Sequence, residues 1–345
     1  MAKLLVILAI SITLVAAFRI SPRENRMLKR LCGRQGRPSR HKYKSIGGRS
    51  VEINEFPWNI HLKTLKFNST GACSGSLISR RHFITAAHCL AKSHERTNCV
   101  GTEGTAPVIP RKPSHFEAYV GTKCPYQAGC TKKHRVVRAW MHPKWTPCGE
   151  YDHDFAIFEL ADDVLPSVAL PICMAEPDTA LMRPLMSSGH GRDTANQNTR
   201  HLAVVLYDEY TVNHTIDTII GYSTKRAIAS CPGDSGAGLF QLDCRDRYTL
   251  VGVHSGGTNC QEKNMDKKIR FKGVIMSHFS DVRPDLEWIC RLTGVCPMHR
   301  RAPTPWRRTE LKSEDKENND KSKTKLKTVE AKTKPDAAVT AKKEG

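Results

Sequence analysis

Short apolar runs bounded by turn residues recur through the middle of this chain, and they restrict it to one kind of architecture. Trp58-Asn-Ile-His-Leu62, Gly75-Ser-Leu-Ile78, Ala156-Ile-Phe-Glu-Leu160, Leu202-Ala-Val-Val-Leu206 and Tyr248-Thr-Leu-Val-Gly-Val253 stand between clusters of Gly, Pro, Asn and Ser. Runs of this length are too short for helices and suit strands closed off by turns. The body, from about Ser45 to residue 299, is therefore expected to be all-β. One late stretch, about Asp285 to Leu292, has helical spacing and predicts a C-terminal helix. No internal repeat is present.

The flanks have a different texture. The net charge of +20 is uneven: residues 18–44 carry +9, residues 300–345 carry +6 and the body only +4. The total therefore says little about a basic face on the fold. Residues 1–17 are expected to be a signal peptide. Lys3 precedes an uncharged apolar run, Leu4 to Ala17, and Val15 and Ala17 suit cleavage after Ala17. An uncleaved anchor is the rival reading, and Arg19 cuts the run short. No later segment is apolar enough to span a membrane. Residues 18–44 are expected to be an exposed basic pro-segment. Residues 300–345 have too few apolar groups to fold alone and are expected to be a disordered Lys/Glu-rich tail. The thirteen cysteines suit an oxidising, extracellular compartment. With no C-x-x-C pair, they do not suggest a metal site. Asn68-Ser-Thr and Asn213-His-Thr are glycosylation acceptors if the chain is secreted.

Three local patterns carry chemistry. They are Thr85-Ala-Ala-His88-Cys89, preceded by Cys73-Ser-Gly-Ser-Leu-Ile; Asp152-His-Asp154 followed by an apolar run; and Cys231-Pro-Gly-Asp-Ser235-Gly-Ala-Gly238. In this order they resemble the signature blocks of the chymotrypsin/trypsin family of secreted serine proteases, over roughly residues 45–292 with an unmatched insertion between His88 and Asp154. The resemblance implies two six-stranded antiparallel β-barrels with a site in the cleft between them. It implies a serine endopeptidase that acts through an acyl-enzyme and needs no cofactor. His88, Asp154 and Ser235 would be the catalytic triad, with the apolar run marking Asp154 and not Asp152 as its acid. A serine hydroxyl is a weak nucleophile without an adjacent base, and an acid is needed to fix that base's tautomer. The N–H groups of Gly233 and Ser235 would form the oxyanion hole.

The resemblance also implies the remaining assignments. Cys73–Cys89 and Cys231–Cys260 would be disulfides of the family pattern. Cys32–Cys173 would tether the pro-segment, and Cys290 and Cys296 are candidates for a local pair. Lys44-Ser45 resembles an activation junction, whose new amino group would pair with Asp234. Ser45 departs from the bulky aliphatic residue usual there. Ala229 would be the uncharged floor of the specificity pocket, with Ser230 beside it. Gly257 and Gly273 would be its open walls, and Ser255 and Gly256 would line the substrate strand. Gly256 stands where the family has tryptophan. Cleavage after apolar or aromatic residues follows, and an activating protease must then act on Lys44 in trans.

The expected partners are a polypeptide substrate, that activating protease, and a polyanion at the basic tail. Specific nucleic-acid readout is not expected, since no aromatic residues interleave the charges. A catalytically silent homologue that binds and does not cut is the alternative function.

Overall fold

The computed structural model describes residues 19–35, 44–45, 48–51, 55–65, 71–91, 108–121, 133–147, 151–191, 202–223, 231–258 and 275–298. Of the residues singled out above, Asn68, Ala229, Ser230, Cys260 and Gly273 lie outside these, as do the leader residues 1–17 and the tail from residue 299. So do Cys99, Cys124, Cys130 and Cys148.

The described residues are mostly strand. Strands β3 (Asn59–Thr64), β4 (Gly71–Leu77), β5 (His82–Thr85), β6 (Phe116–Val120), β7 (Lys133–Met141) and β8 (Ala156–Leu160) close into a barrel in the order β3-β4-β5-β8-β7-β6. The first, second and third of the predicted apolar runs supply β3, β4 and β8. Strand β8 is buried along its whole length. The second half is built from β10 (Leu185–Gly189), β11 (Ala203–Tyr207), β13 (Thr218–Ser223), β14 (Gly238–Leu242), β15 (Tyr248–Gly257) and β16 (Ile275–Asp281). These run in the order β11-β10-β14-β15-β16-β13, with β12 (Glu209–Asn213) outside β13. The short strands β1 (Lys44–Ser45) and β2 (Gly48–Ser50) extend the other edge, and β9 (Cys173–Met174) pairs with β15 in parallel.

The fold class is as expected, with one difference. Among the described residues no ladder joins β11 to β13, so the second half is a curled sheet and not a closed barrel. The seam is filled by a side chain: the ring of Tyr207 from β11 lies so close to Gly221 of β13 that an added Cβ would sit 2.6 Å from it. The two halves meet on an aromatic cluster. Phe56 and Trp58 before β3 pack on Phe240 of β14 at 5.2 and 5.6 Å, and on Tyr248 of β15 at 5.4 Å each.

Three α-helices complete the described fold. The predicted C-terminal helix is α3 (Leu286–Thr293), ended by Gly294 in the left-handed conformation. Helix α2 (Ala87–Leu90) carries His88. Helix α1 (Pro22–Leu31) lies in the segment expected to be an exposed basic pro-segment. It starts on a capping box between Ser21 and Glu24, with Pro22 in the first turn. It is docked as well as formed: Cys32 bonds to Cys173, Lys29 pairs with Glu176 at 2.7 Å, and Asn25 exchanges hydrogen bonds with the backbone of Cys296. No helix among the described residues is long and apolar enough to cross a membrane.

Candidate active site

The site forms where β5, the loop before β8, the turn before β14 and the end of β15 converge. Strand β5 leads through buried Ala86 into α2, which the Cys73–Cys89 disulfide ties to β4. This fixes the backbone of His88. Its Nδ1 lies 2.6 Å from Asp154 Oδ2, and its backbone N–H donates to Asp154 Oδ1 at 2.8 Å. Ser255 Oγ donates to Asp154 Oδ2 as well. Burial alone would raise the Asp154 carboxyl. The charge of His88 and the hydrogen bonds from His88 and Ser255 outweigh it, and they hold the group below the ordinary carboxylate range.

The loop that delivers Asp154 is bent through left-handed conformations at Tyr151 and His153, with φ of 56° and 48°. Such backbone persists only where its surroundings enforce it. Ser280 on β16 clamps it by accepting from Asp154 N–H at 3.0 Å and donating to the Tyr151 carbonyl at 2.6 Å. His153 Nδ1 is 2.8 Å from the Asp285 carboxylate at the start of α3, and His142 Nε2 is 3.3 Å from it. Burial tends to raise Asp285, but hydrogen bonds and charge from His142 and His153 bring it below the ordinary value.

Among the described residues, two groups have metal-ligand spacing, His142-His153-Asp285 and Cys73-His88-Cys89. In each, the candidate ligand atoms are already engaged with one another or with neighbours. His142 Nδ1 accepts from Lys144 N–H at 3.3 Å, and its Nε2 faces the Asp285 carboxylate at 3.3 Å. In the second group both sulfurs are spent in the disulfide.

Ser235 sits in a tight turn, in which Asp234 N–H donates to the Cys231 carbonyl at 2.9 Å and Cys231 N–H donates to Asp234 Oδ2 at 2.8 Å. Cys231 is disulfide-bonded, and Cys260, its expected partner, is outside the described residues. Gly233 (φ 112°) and Gly236 (φ 84°) need conformations that side chains resist. At Gly236 a Cβ would also lie 2.3 Å from the Ser74 carbonyl and 2.2 Å from Thr85 Oγ1. That closeness sets the turn against β4 and β5. Ser74 N–H donates to the Ser235 carbonyl at 2.7 Å, and this carbonyl lies 3.9 Å from Cys89 Sγ, next to His88. Ser74 Oγ accepts from His190 N–H and donates to the Gly233 carbonyl, both at 2.8 Å.

The structure thus brings His88, Asp154, Ser235, Gly233, Asp234 and Ser255 into one region. Gly256 and Gly257 follow on the same strand. Sequence reasoning missed Ser74, Ser280, Tyr151, His254 and Ser277. Tyr151 takes the ground that a side chain at Gly256 would occupy: a Cβ there would lie 2.5 Å from its ring, which stacks on His278 at 4.3 Å. Where the family's tryptophan would stand at Gly256, an aromatic ring is therefore supplied from the loop before β8. Gly273, expected as a pocket wall with Gly257, lies outside the described residues, and Ser277 stands opposite Gly257 in the ladder. His254 had a visible signal, as a polar residue within the buried apolar run of β15.

Of the remaining expected features, Cys32–Cys173 and Cys290–Cys296 are bonded. Cys244 is an exposed free thiol. Asn213 is exposed, with Oδ1 accepting from Thr215 N–H at 3.0 Å.

Burial, with smaller contributions from His88 and His278 against the pull of Asp154, lowers His254 to about 3. The folded protein therefore leaves this imidazole neutral, while the unfolded chain protonates it below about pH 6.5. Folding stability contributed here is present above that pH. It falls as pH drops toward 3, by up to about 1.4 kcal/mol per unit. Denaturant unfolding of wild type and His254→Val across this range should show the variant losing less stability on acidification.

A family model described as Trypsin matches residues 45–274. Mannan-binding lectin serine protease 1 of Mus musculus is 27% identical over 265 residues, which is 72% of this chain and 35% of that protein. Transmembrane protease serine 11E of Mus musculus is 26% identical over 266 residues, 72% of this chain and 55% of its own length. Ovochymase-2 of Mus musculus is 24% identical over 276 residues, 75% of this chain and 42% of its own. The chain thus spans between 35% and 55% of the length of these relatives. A family match over well more than half of the chain, on a body that folds into a closed barrel and a curled sheet, shows that this protein belongs to the trypsin family.

Proposed function

We propose that the chain is a secreted serine endopeptidase made as a zymogen, with Ser235 as nucleophile, His88 as general base and acid, and Asp154 as the group that orients His88. One observation carries the reading: the buried Asp154 carboxylate accepts from His88 Nδ1, His88 N–H and Ser255 Oγ together. That arrangement leaves His88 Nε2 free to take the Ser235 proton as the hydroxyl attacks a peptide carbonyl. The proton then passes to the leaving amine, and water repeats the cycle on the acyl-enzyme. The N–H groups of Gly233 and Ser235 stabilise the oxyanion. The Ser74 clasp on the Gly233 carbonyl supports that role by fixing the turn.

Secretion is supported by the apolar leader Leu4–Ala17 and by the Cys32–Cys173, Cys73–Cys89 and Cys290–Cys296 bonds. Glycans at Asn68 and Asn213 would follow. Polypeptides are the substrates, and the uncharged Ala229 disfavours Lys or Arg before the cleaved bond, so cleavage after Lys44 needs another protease. Apolar or aromatic specificity rests on Ala229 and Gly273, while Ser277, opposite Gly257 in the ladder, adds a polar group on that side.

Activation follows if the amino group freed at Ser45 pairs with Asp234. The surroundings of Asp234 suit a buried guest: Gly189 and Gly191 come so close that a Cβ on either would lie within 2.5 Å of its carboxylate. Ser45 lacks the aliphatic surface that would drive that insertion, a loss of about 1.5–3 kcal/mol. Ser45→Ile should therefore raise activity after cleavage by roughly ten- to a hundredfold. An unchanged rate per cleaved molecule would reject the weakened switch.

Ser45 also favours the second reading, a silent homologue that binds without cutting. Labelling with a fluorophosphonate probe separates the two. Labelling that appears only after cleavage at Lys44, and is absent from Ser235→Ala, supports the zymogen. A folded, cleaved protein that never labels would leave the silent homologue.

A further inference from the structure

Both ring nitrogens of His254 are buried and have no hydrogen-bond partner among the described residues. Folds leave few such groups unpaired, and those that persist mark places where solvent or a ligand supplies the partner. The position of this one is specific. Its backbone N–H donates to the Ala237 carbonyl, and its carbonyl accepts from Gly236 N–H, both at 2.8 Å, directly behind Ser235. The next residue is Ser255, which touches Asp154.

The face that His254 shares is polar where an apolar pocket would be expected. His254 pairs across the sheet with Phe279, whose ring it meets edge-on at 5.3 Å. Ser277, two residues earlier on β16, projects from the same side as Phe279. Tyr207 closes that side from β11, with its ring 5.4 Å from Phe279 and its hydroxyl donating to Ser277 Oγ at 3.0 Å. Burial raises the Tyr207 phenol, so it keeps the proton it donates. Ser277 therefore has its own hydroxyl proton left to give, and a neutral His254 has one N–H to give. Gly257, opposite Ser277, adds no side chain. The result is two buried donors behind the nucleophile, neither of them hydrogen-bonded to a carboxylate among the described residues.

Resting on the endopeptidase reading, we propose that His254 and Ser277, the latter oriented by Tyr207, recognise the substrate side chain just before the cleaved bond, and select one that ends in a carbonyl oxygen, glutamine or glutamate. An apolar side chain would leave both donors unsatisfied, and Lys or Arg would bring only donors of its own. Sites that hydrogen-bond a substrate group reject analogues lacking it far more strongly than apolar pockets reject a misfit, by about 10⁴- to 10⁵-fold.

The test uses the full chain cleaved at Lys44, peptides differing only at that position, and active sites counted with the fluorophosphonate probe. Expected is a preference for Gln or Glu over Leu and Phe of at least about thirtyfold in kcat/KM. His254→Val should lower the Gln-to-Leu ratio at least tenfold, and Tyr207→Phe, which keeps the ring, should lower it several-fold. Glu favoured over Gln means that His254 takes up a proton on binding. Gln equal or favoured means that it stays neutral, and both outcomes support the proposal.

Binding of product-like peptides ending in Gln, Glu or Leu to Ser235→Ala provides a second measurement that needs no turnover. There too the acyl-oxygen termini should bind more tightly, and His254→Val should erase the difference. A wild-type preference for Leu, Phe, Lys or Arg, or a His254→Val effect equal on all peptides, would overturn the assignment. Loss of probe labelling with selective product binding intact would instead sink the endopeptidase reading alone.

Discussion

Ser235→Ala is expected to lower kcat by about 10⁶-fold, leaving the residual catalysis that binding and the oxyanion donors supply without a nucleophile. The loss should not come from unfolding. The contacts that hold residue 235 in place are backbone ones, chiefly the Ser74 N–H to its carbonyl, and alanine keeps them. Neighbours enforce the turn through Gly233 and Gly236 and do not depend on the hydroxyl. Hydrolysis of a mixed peptide library by protein cleaved at Lys44, with thermal melts of both forms, checks this. More than about one per cent residual activity in a well-folded variant would move the nucleophile elsewhere.

Asp154→Asn should lower kcat/KM by about 10⁴-fold, with little change in melting temperature. The hydrogen bonds dictate why. His88 backbone N–H is a fixed donor to Oδ1, so the asparagine carbonyl must take that position. The amide nitrogen then falls where Oδ2 had been, facing His88 Nδ1. Two donors cannot face one another, so His88 moves its proton to Nε2, the nitrogen that must be empty to accept from Ser235. Ser255 also loses its acceptor. A rate within tenfold of wild type would show that Asp154 does not set the tautomer.

The sequence made much of this site legible because its chemistry is packed into short blocks. Thr85 to Cys89, Asp152 to Leu160 and Cys231 to Gly238 each carry both a reactive residue and the local structure that presents it. The apolar runs gave the strands for a similar reason, since burial on β8 or β15 shows in a few consecutive residues. What failed were relations between distant segments. The bulge between His254 and Gly256 shifts the register of β15 against β16, and no local pattern marks Ser277 as the residue opposite Gly257. Tyr151 could not be matched with Gly256 because a loop and a distant strand had to meet first. Helix α1 is instructive, since its start was written plainly as Ser21-Pro-Arg-Glu24. Its basic composition hid it, because its stability depends on Cys173, Glu176 and Cys296, all supplied by far-off parts of the chain.

That helix has a mechanical consequence. Its Glu24 reaches Arg80 of the barrel, while its Lys29 carbonyl accepts from Arg247 at the start of β15. Ile20 N–H donates to the Thr293 carbonyl at the end of α3, and Gly33 exchanges backbone bonds with Pro171 and Tyr248. One small element thus grips both halves of the molecule and the connection between them. If the chain is cut after Lys44, this element becomes a separate polypeptide that still spans the joint, held by a single covalent bond. It would act as a strut that limits how far the halves swing apart when a substrate enters. Reduction of Cys32–Cys173 would then change the stiffness of the enzyme without touching a single catalytic group.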